Sequence, residues 1–131
     1  MRTVRCVVPG LDRLDDDECL RLLRTVPVGR LVFTQGGLPA VRVVGFRVDE
    51  DTIVFVPDDD EAGLRAAVRG DVVAFEVDDL DADRHVGWSV TAVGHLSVVP
   101  PEEARVLGLG PPERQLVRLG VESLTGRRLL V

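Results

Sequence analysis

The chain has 131 residues with an apolar share of 45% and a charged share of 29%, a composition typical of a globular domain rather than a disordered segment. Its 22 acidic and 16 basic side chains give a formal net charge of −6, which disfavours nonspecific binding to nucleic-acid phosphate. No apolar run approaches the roughly 18 residues of a membrane span, and the start lacks the apolar stretch of a signal peptide. We therefore expect one cytoplasmic domain over residues 1–131, with residues 1–12 disordered or loosely packed, and no nucleic-acid or membrane partner.

The first predicted element is a helix over residues 16–25. Asp15 is placed to cap its start, and Glu18 three residues later resembles the second half of a capping box. The helix has one apolar face with i, i+3, i+4, i+7 spacing, formed by Cys19, Leu22, Leu23 and Val26. Cys19 is therefore expected to be a buried thiol, and Cys6 lies too close to the start of the chain to indicate a disulfide.

Strand-like alternation of apolar residues then dominates the sequence up to a second helix. Three predicted strands, separated by glycine-rich or acidic turns, cover residues 29–34, 39–48 and 52–56. Turns of this kind between β-branched runs favour antiparallel hairpins. The second helix is predicted over residues 61–69 and ends at Gly70. Its predicted apolar stripe consists of Leu64, Ala67 and Val68.

The segment 71–94 is the most informative part of the sequence. It predicts a β-hairpin with a first strand at 72–77, an acidic turn at 78–83 and a long second strand that continues to Val99. Because the turn is acidic and the flanking runs are rich in β-branched residues, the two strands are expected to pair with each other.

The last third of the chain predicts one more helix and one more strand. A short helix over residues 102–107 follows a proline pair, since proline is favoured at the first helical position. Strand-like alternation returns from Arg114, with a turn at 125–128 before Leu129. Five or six strands with short helices predict a small closed or partly closed barrel.

Several short motifs, in their order and spacing, resemble the flavin-binding split-barrel proteins related to pyridoxamine 5'-phosphate oxidase. These motifs are PVGRL at 27–31, Gly37-x-Pro39, GLRAA at 63–67, FEVD at 75–78, GWSV at 87–90 and TGRR at 125–128. The resemblance covers residues 14–129 and implies a mainly β (α+β) fold, a six-stranded antiparallel split β-barrel with short flanking helices. It also implies an FMN-dependent oxidoreductase and a homodimer in which the second barrel completes each cleft. The same resemblance allows a deazaflavin as an alternative cofactor, because split barrels accept either ring.

The resemblance further implies that an Arg-Thr pair at the end of the third strand and a Lys in the next helix hold the flavin phosphate. In this sequence the strand ends in Val56 and Pro57, and Arg65 takes the Lys position, where a guanidinium suits a bidentate phosphate contact. The acidic run 58–61 precedes the helix; at ~6 Å each of its carboxylates would oppose each phosphate charge by roughly 2–3 kcal/mol. Two hypotheses stay open: a flavin-dependent oxidoreductase with a weakened phosphate site, and a cofactor-free dimer that serves as a binding or regulatory module.

The remaining candidate residues lie on strands. Trp88 is predicted either to wall a flavin pocket or to pack in the core or the dimer interface. Arg42 and Arg47 are predicted either to contact the flavin ring or phosphate, or to be solvated or dimer-edge charges. No catalytic residue is identifiable, because no nucleophile or titratable pair has a recognisable spacing. His85 and His95 lack the spacing of a metal-binding pair, so no metal site is expected.

Overall fold

A computed structural model describes residues 13–57, 62–111 and 113–130. The loosely packed segment predicted for 1–12, with Cys6, and the acidic run 58–61 lie outside the described residues. The elements in chain order are β1 (Arg13–Leu14), α1 (Asp16–Leu23), β2 (Val28–Gln35), β3 (Leu38–Asp49), β4 (Thr52–Phe55), α2 (Ala62–Arg69), β5 (Val72–Asp81), β6 (Val86–Val98), α3 (Pro101–Leu107) and β7 (Val117–Leu130). No helix within these ranges is long and apolar enough to cross a bilayer.

Six strands form an antiparallel ring in the order β7-β4-β3-β2-β5-β6, which the pairing of β6 with β7 closes. β1 adds a two-residue pair to β7. The predicted mainly β (α+β) class and the six-stranded antiparallel split β-barrel with short flanking helices are confirmed. β4 pairs with residues 46–49 of β3, so within the described chain residues 38–45 of β3 have β2 on one side and no strand on the other. The barrel is open along this stretch.

The barrel interior holds the main hydrophobic core, because the residues that alternate inward along the strands are apolar. Phe55 and Phe75 are fully buried, and Phe46 packs edge-on against Phe75 with the ring centroids 5.1 Å apart. Such an aromatic pair contributes about 0.5–1.5 kcal/mol beyond the area that it buries. Core packing therefore fixes β3, β4 and β5 relative to one another.

The first helix begins as the sequence predicts. The Oδ1 atom of Asp15 accepts a hydrogen bond from the backbone N–H of Glu18 at 2.8 Å, which satisfies one free donor of the first turn. The carboxylate of Glu18 accepts instead from Arg21, so the second half of the predicted capping box is replaced by an ion pair. Cys19 is fully buried, as expected. The helix ends at Leu23, two residues before the predicted end.

The predicted apolar stripe of the second helix is wrong in part. The buried residues of α2 are small, namely Ala62, Gly63, Ala66 and Ala67, whereas Leu64 is half-buried and Val68 is exposed. A Cβ atom at Gly63 would lie 3.2 Å from the Cβ atom of Pro57, so the helix approaches the end of β4 closely. Close approach favours small side chains at the contact. The larger Leu64 packs at the margin of the main core, and Val68 is turned outward.

One predicted turn is partly strand in the structure, and another is entirely strand. β5 continues to Asp81, four residues past the predicted strand end, and the turn occupies residues 82–85. The carboxylate of Asp81 accepts hydrogen bonds from the backbone N–H groups of Asp83 and Arg84, which explains why the acidic turn begins there. The segment 125–128, predicted as a turn, belongs to β7 and pairs with β6.

Gly126 explains why the sequence suggested a turn at that point. A Cβ atom at this position would lie 2.5 Å from Sγ of Cys19 and 3.2 Å from Cγ2 of Val90. The glycine therefore permits the close packing of α1 on β7, and it does not reverse the chain.

The third helix covers the outer face of β4. A second small core lies beneath it, formed by the buried Val54, Val99 and Leu116 with Val56, Ala104, Leu107 and Leu109 around them. The helix includes Pro101 in its first turn and begins one residue before the predicted start. Arg118 on β7 holds it in place by bonding to Glu103 of the helix and to Asp49 of β3.

Candidate functional site

The end of β4 meets the start of α2 and the segment that leads to β7. Pro57 is buried, and its carbonyl oxygen accepts a hydrogen bond from Nη2 of Arg114. Val56 is half-buried and packs on the outer side, in the small core under α3. The strand end therefore consists of the apolar Val56 and of Pro57, which has no N–H. The donor that bonds to it, Arg114, is distant in the sequence.

Arg65 lies on the exposed face of α2. Within the described residues its guanidinium makes no hydrogen bond or ion pair. Gly63, two residues earlier, is the point at which the helix touches Pro57. Because residues two apart on a helix face different directions, Arg65 points away from this contact, and its role at the strand end stays a prediction.

The two arginines of β3 point to opposite faces of the sheet. Arg42 lies opposite the buried Leu31, and its guanidinium carbon is 5.6 Å from the ring centroid of Phe33. Leu31 also lies close to α2, because a Cβ atom added to Gly63 would be 3.8 Å from Cδ2 of Leu31. Arg42 is therefore near the same end of the barrel as Pro57 and α2, along the open stretch of β3.

Arg47 has a structural contact on the other face. Its Nη1 atom donates a hydrogen bond to the carbonyl oxygen of Leu107, the last residue of α3. A guanidinium at a helix C-terminus satisfies a carbonyl that has no partner within the helix. Arg47 thus fastens α3 to the barrel.

Trp88 is 8% exposed, which agrees with the prediction that it packs in the core. In the sheet it lies opposite Asp79 on one side and Arg128 on the other. It borders a cavity of about 430 Å³, whose described lining comes from β5, β6 and β7 and includes neither the β4 end nor α2. Eight residues of β6, about 26 Å of strand, separate Trp88 from Leu96, whose N–H donates to Asp71 just after α2.

The structure places four of the five candidate residues on neighbouring elements, namely the end of β4, the following helix α2 and the open stretch of β3, and it leaves Trp88 apart. We use the name β4-end site for Arg42, Val56, Pro57, Arg65 and Arg114. Arg114 was missed as a site residue, because its contact with Pro57 spans 57 positions and no local pattern indicates it. The cofactor roles of all these residues stay predictions.

A separate charged cluster lies on the outer face of β2 and β5. Nη1 of Arg30 is 3.0 Å from a carboxylate oxygen of Glu76 and 3.0 Å from one of Asp78. Desolvation, followed by the hydrogen bond and negative charge of Asp78, raises the pKa of Glu76 to about 7, against the opposing effect of Arg30. Elsewhere in the described chain, no three His, Cys, Asp or Glu side chains are grouped so that they could hold a metal ion.

At the β4-end site, the groups suited to bind a phosphate are arginine side chains, and they come from elements other than the end of β4. Arg65 and Arg114 carry planar guanidinium groups, which match phosphate oxygens in pairs. The side chains of Val56 and Pro57 add no donor. A flavin phosphate would accordingly be held by Arg65, with Arg114 beside the strand end and Arg42 on the side of the open stretch of β3.

Comparison with known proteins agrees with this fold. Residues 15–128 match the family described as Pyridoxamine 5'-phosphate oxidase, and the chain belongs to that family. An uncharacterized protein of Mycobacterium tuberculosis, Rv0080, is 37% identical over 128 residues, which cover 89% of this chain and 84% of that protein.

Two solved structures are similar over most of the chain. The FAD binding protein from Mycobacterium smegmatis has 31% identity and a TM-score of 0.78, with 92% of this chain and 99% of that chain covered. A FAD-binding protein from Mesorhizobium loti has 20% identity and a TM-score of 0.67, with 99% of this chain and 100% of that chain covered. The second likeness shows the shared fold alone.

Proposed function

We propose that this chain binds a flavin at the β4-end site and acts as a flavin-dependent oxidoreductase. The observation that carries the proposal is the position of Arg114, which bonds to the carbonyl oxygen of Pro57 at the end of β4, where α2 also packs and the open stretch of β3 begins. Membership of the family and the similarity to the FAD binding protein from Mycobacterium smegmatis support it. A bound flavin would supply the hydride and electron chemistry, while the protein binds and orients the ring and limits access of water.

In its simplest form the proposal has FMN as the cofactor, with a deazaflavin as a variant. Because the side chains of Val56 and Pro57 provide no donor, we expect FMN to bind well below the affinity of relatives that have an Arg-Thr pair at this strand end. Titration of the purified chain with FMN, followed by flavin absorbance and fluorescence, measures this affinity. Recovery of protein with one tightly bound FMN per chain would contradict the expected weak binding.

The role of Arg65 is testable with a matched variant on the same helix. Arg65→Ala is expected to weaken FMN binding several-fold, because it removes the guanidinium placed to meet the phosphate. Arg69→Ala removes the same charge from α2, but Arg69 is already paired with Asp71, so FMN affinity should be unchanged. Equal affinities for wild type and Arg65→Ala would remove Arg65 from the site.

The proposal includes a homodimer in which the second barrel completes each cleft. Trp88 lies apart from the β4-end site within one chain, so a second subunit is the simplest means of bringing both to one flavin. The outer face of β2 and β3 offers an apolar contact surface, since Val41 and Val43 are 53% and 63% exposed there. A cytoplasmic location, expected from the sequence, remains a prediction.

Sedimentation velocity tests the dimer and its surface. We expect a dimer for the wild type and dissociation for Val41→Glu, because an unpaired carboxylate would be buried in the contact. Val106→Glu on α3 places the same charge on a valine that is 88% exposed and outside this face, and it should leave the dimer intact. A monomeric wild type would refute the dimer.

The second candidate function is a cofactor-free dimer that acts as a binding or regulatory module. The absence of a side-chain donor at Val56 and Pro57 favours this second function. It predicts that FMN and FAD at high micromolar concentration change neither the flavin spectrum nor the melting temperature of the protein. The same titration therefore separates the two functions.

A further inference from the structure

The cavity beside Trp88 lies at the end of the barrel, where β5, β6 and β7 continue past the core residues Val77 and Val90. We call it the Trp88 cavity. Its volume of about 430 Å³ is within the range of roughly 300–1,000 Å³ that is usual for small-molecule sites. Its described lining includes Asp79, Asp81, Val86, Trp88, Arg128 and Leu130. None of these residues belongs to the β4-end site.

Strand alternation places an acid and the indole ring side by side on the inner face of the sheet. Val77 and Val90 are paired and fully buried, and Asp79 and Trp88 form the next inward-facing pair. Directly opposed residues of an antiparallel pair have Cβ atoms about 4.5–5.5 Å apart. A positive group bonded to the carboxylate of Asp79 would therefore be within reach of the indole ring, which attracts cations within about 6 Å of its centre.

The rest of the inner face at this end is apolar and accessible to solvent. Val86 and Leu130 are paired across β6 and β7, and they are 40% and 39% exposed. Together with Trp88 they form a concave apolar surface, and such surfaces on soluble proteins mark ligand or partner sites. One aromatic ring, for which a cavity of about 150 Å³ is sufficient, is small enough to enter and contact them.

Among the charged groups of the described lining, Asp79 is the unpaired one. Asp81 accepts a hydrogen bond from the backbone N–H of Arg84 and is 3.6 Å from the Nε atom of the same residue. Arg128 is ion-paired with Glu18 of α1. The carboxylate of Asp79 makes no hydrogen bond or ion pair within the described chain. The cavity therefore leaves one negative charge for a ligand.

We infer that the Trp88 cavity binds a small organic cation, an ammonium group attached to an apolar body, and that Asp79 selects the positive charge. The ammonium group bonds to Asp79 beside the indole ring, while the apolar body covers Val86 and Leu130. An anionic ligand would instead meet the unpaired carboxylate. The inference goes beyond the proposed flavin function and does not depend on it, because no residue of the β4-end site lines this cavity.

Trp88 is the only tryptophan of the chain, so its fluorescence reports directly on this cavity. The experiment titrates the flavin-free full chain at neutral pH with benzylamine, with the neutral benzyl alcohol and with the anionic benzoate, which share one ring. We expect benzylamine to change the Trp88 emission and to bind at least ten-fold more tightly than benzyl alcohol, because a charge-assisted hydrogen bond is stronger than a neutral one. Titration calorimetry measures the same affinities independently of fluorescence.

Three variants separate the charge from the apolar surface. Asp79→Asn should reduce the affinity for benzylamine to about that for benzyl alcohol and leave the latter unchanged. Asp51→Asn removes the same charge from the exposed turn between β3 and β4, and it should alter neither affinity. Val86→Ala should weaken both ligands alike, because it removes part of the apolar surface. Far-ultraviolet circular dichroism and melting temperature verify that the variants fold.

Several results would overturn the inference. Equal affinities for benzylamine and benzyl alcohol, binding of benzoate as tight as that of benzylamine, or an unchanged benzylamine affinity in Asp79→Asn would each exclude selection of a cation by Asp79. Benzylamine that changes neither the Trp88 emission nor the heat of mixing would exclude the site itself. Because the FMN titration is a separate measurement, failure of this inference and failure of the proposed function are distinguishable.

Discussion

Glu76→Gln is expected to stabilise the protein at pH 8 and to leave its stability unchanged at pH 4. Glu76 and Asp78 are two positions apart on β5, and both carboxylates approach the single guanidinium of Arg30. One positive charge between two negative ones leaves the site with an excess carboxylate at high pH. Glutamine has the shape of the protonated acid and retains an oxygen for Arg30, so it removes the excess charge with little loss of contact.

The direction of the pH effect follows from the raised pKa of Glu76. Burial and Asp78 raise it from the ordinary value of 4.5 to about 7. Between these two values the folded state binds more protons than the unfolded state, so the free energy of unfolding falls as the pH rises from about 4.5 to about 7. If the site were fully shielded from solvent, this change in pKa would lower the free energy of unfolding at high pH by about 3 kcal/mol. Because 30% of the Glu76 side chain is exposed, solvent screening reduces the expected effect to about 1 kcal/mol.

Urea unfolding at pH 4, 6 and 8, at one protein concentration, measures the effect. The gain from Glu76→Gln should be absent at pH 4, intermediate at pH 6 and about 1 kcal/mol at pH 8. Asp79→Asn, a change at an exposed acid on the same strand, serves as the control. Sedimentation at each pH verifies that a change in assembly is not the cause. A gain of equal size at pH 4 and pH 8, or a loss at pH 8, would refute the reasoning.

Two further predictions concern stability. Gly126→Ala should destabilise the fold by about 1–3 kcal/mol, because the added Cβ atom would lie 2.5 Å from Sγ of Cys19. Gly120→Ala should cost much less, because the nearest atom to its Cβ is 4.0 Å away. Similar urea midpoints for the two variants would contradict this packing. Asp15→Ala should lower the free energy of unfolding by about 1 kcal/mol, because it removes the side-chain acceptor for the N–H of Glu18. Asp15→Asn retains an acceptor and should restore the stability. A thermal melt in which both variants behave alike would show that the cap contributes nothing.

Local pattern was sufficient for most strands and for the starts of the helices. Alternating apolar residues located β2 to β6, and the acid at position 15 located the start of α1. The pattern failed where a long-range contact decides the structure. In α2 the close approach of Gly63 to Pro57 selects which residues face the barrel, and nothing in the helix sequence records that approach. At Gly126 the glycine serves packing against α1, while glycine in a short polar run ordinarily predicts a turn.

The candidate site was predictable to the extent that it lies on consecutive elements. Val56, Pro57 and Arg65 follow one another along the chain, so a strand–helix junction was visible from the sequence. Arg114 reaches the junction from a segment 57 residues away, across a contact that depends on how α3 folds back over β4.

Within the described residues, the stretch 38–45 of β3 has a neighbouring strand on one side only, which has a consequence for the behaviour of the protein at high concentration. An open strand edge exposes backbone donors and acceptors that a strand from another molecule can meet, and such edges promote aggregation. The stretch carries Pro39, which has no N–H to donate, and Arg42, whose charge opposes stacking of like strands. These two residues therefore protect the opening of the barrel against β-sheet extension.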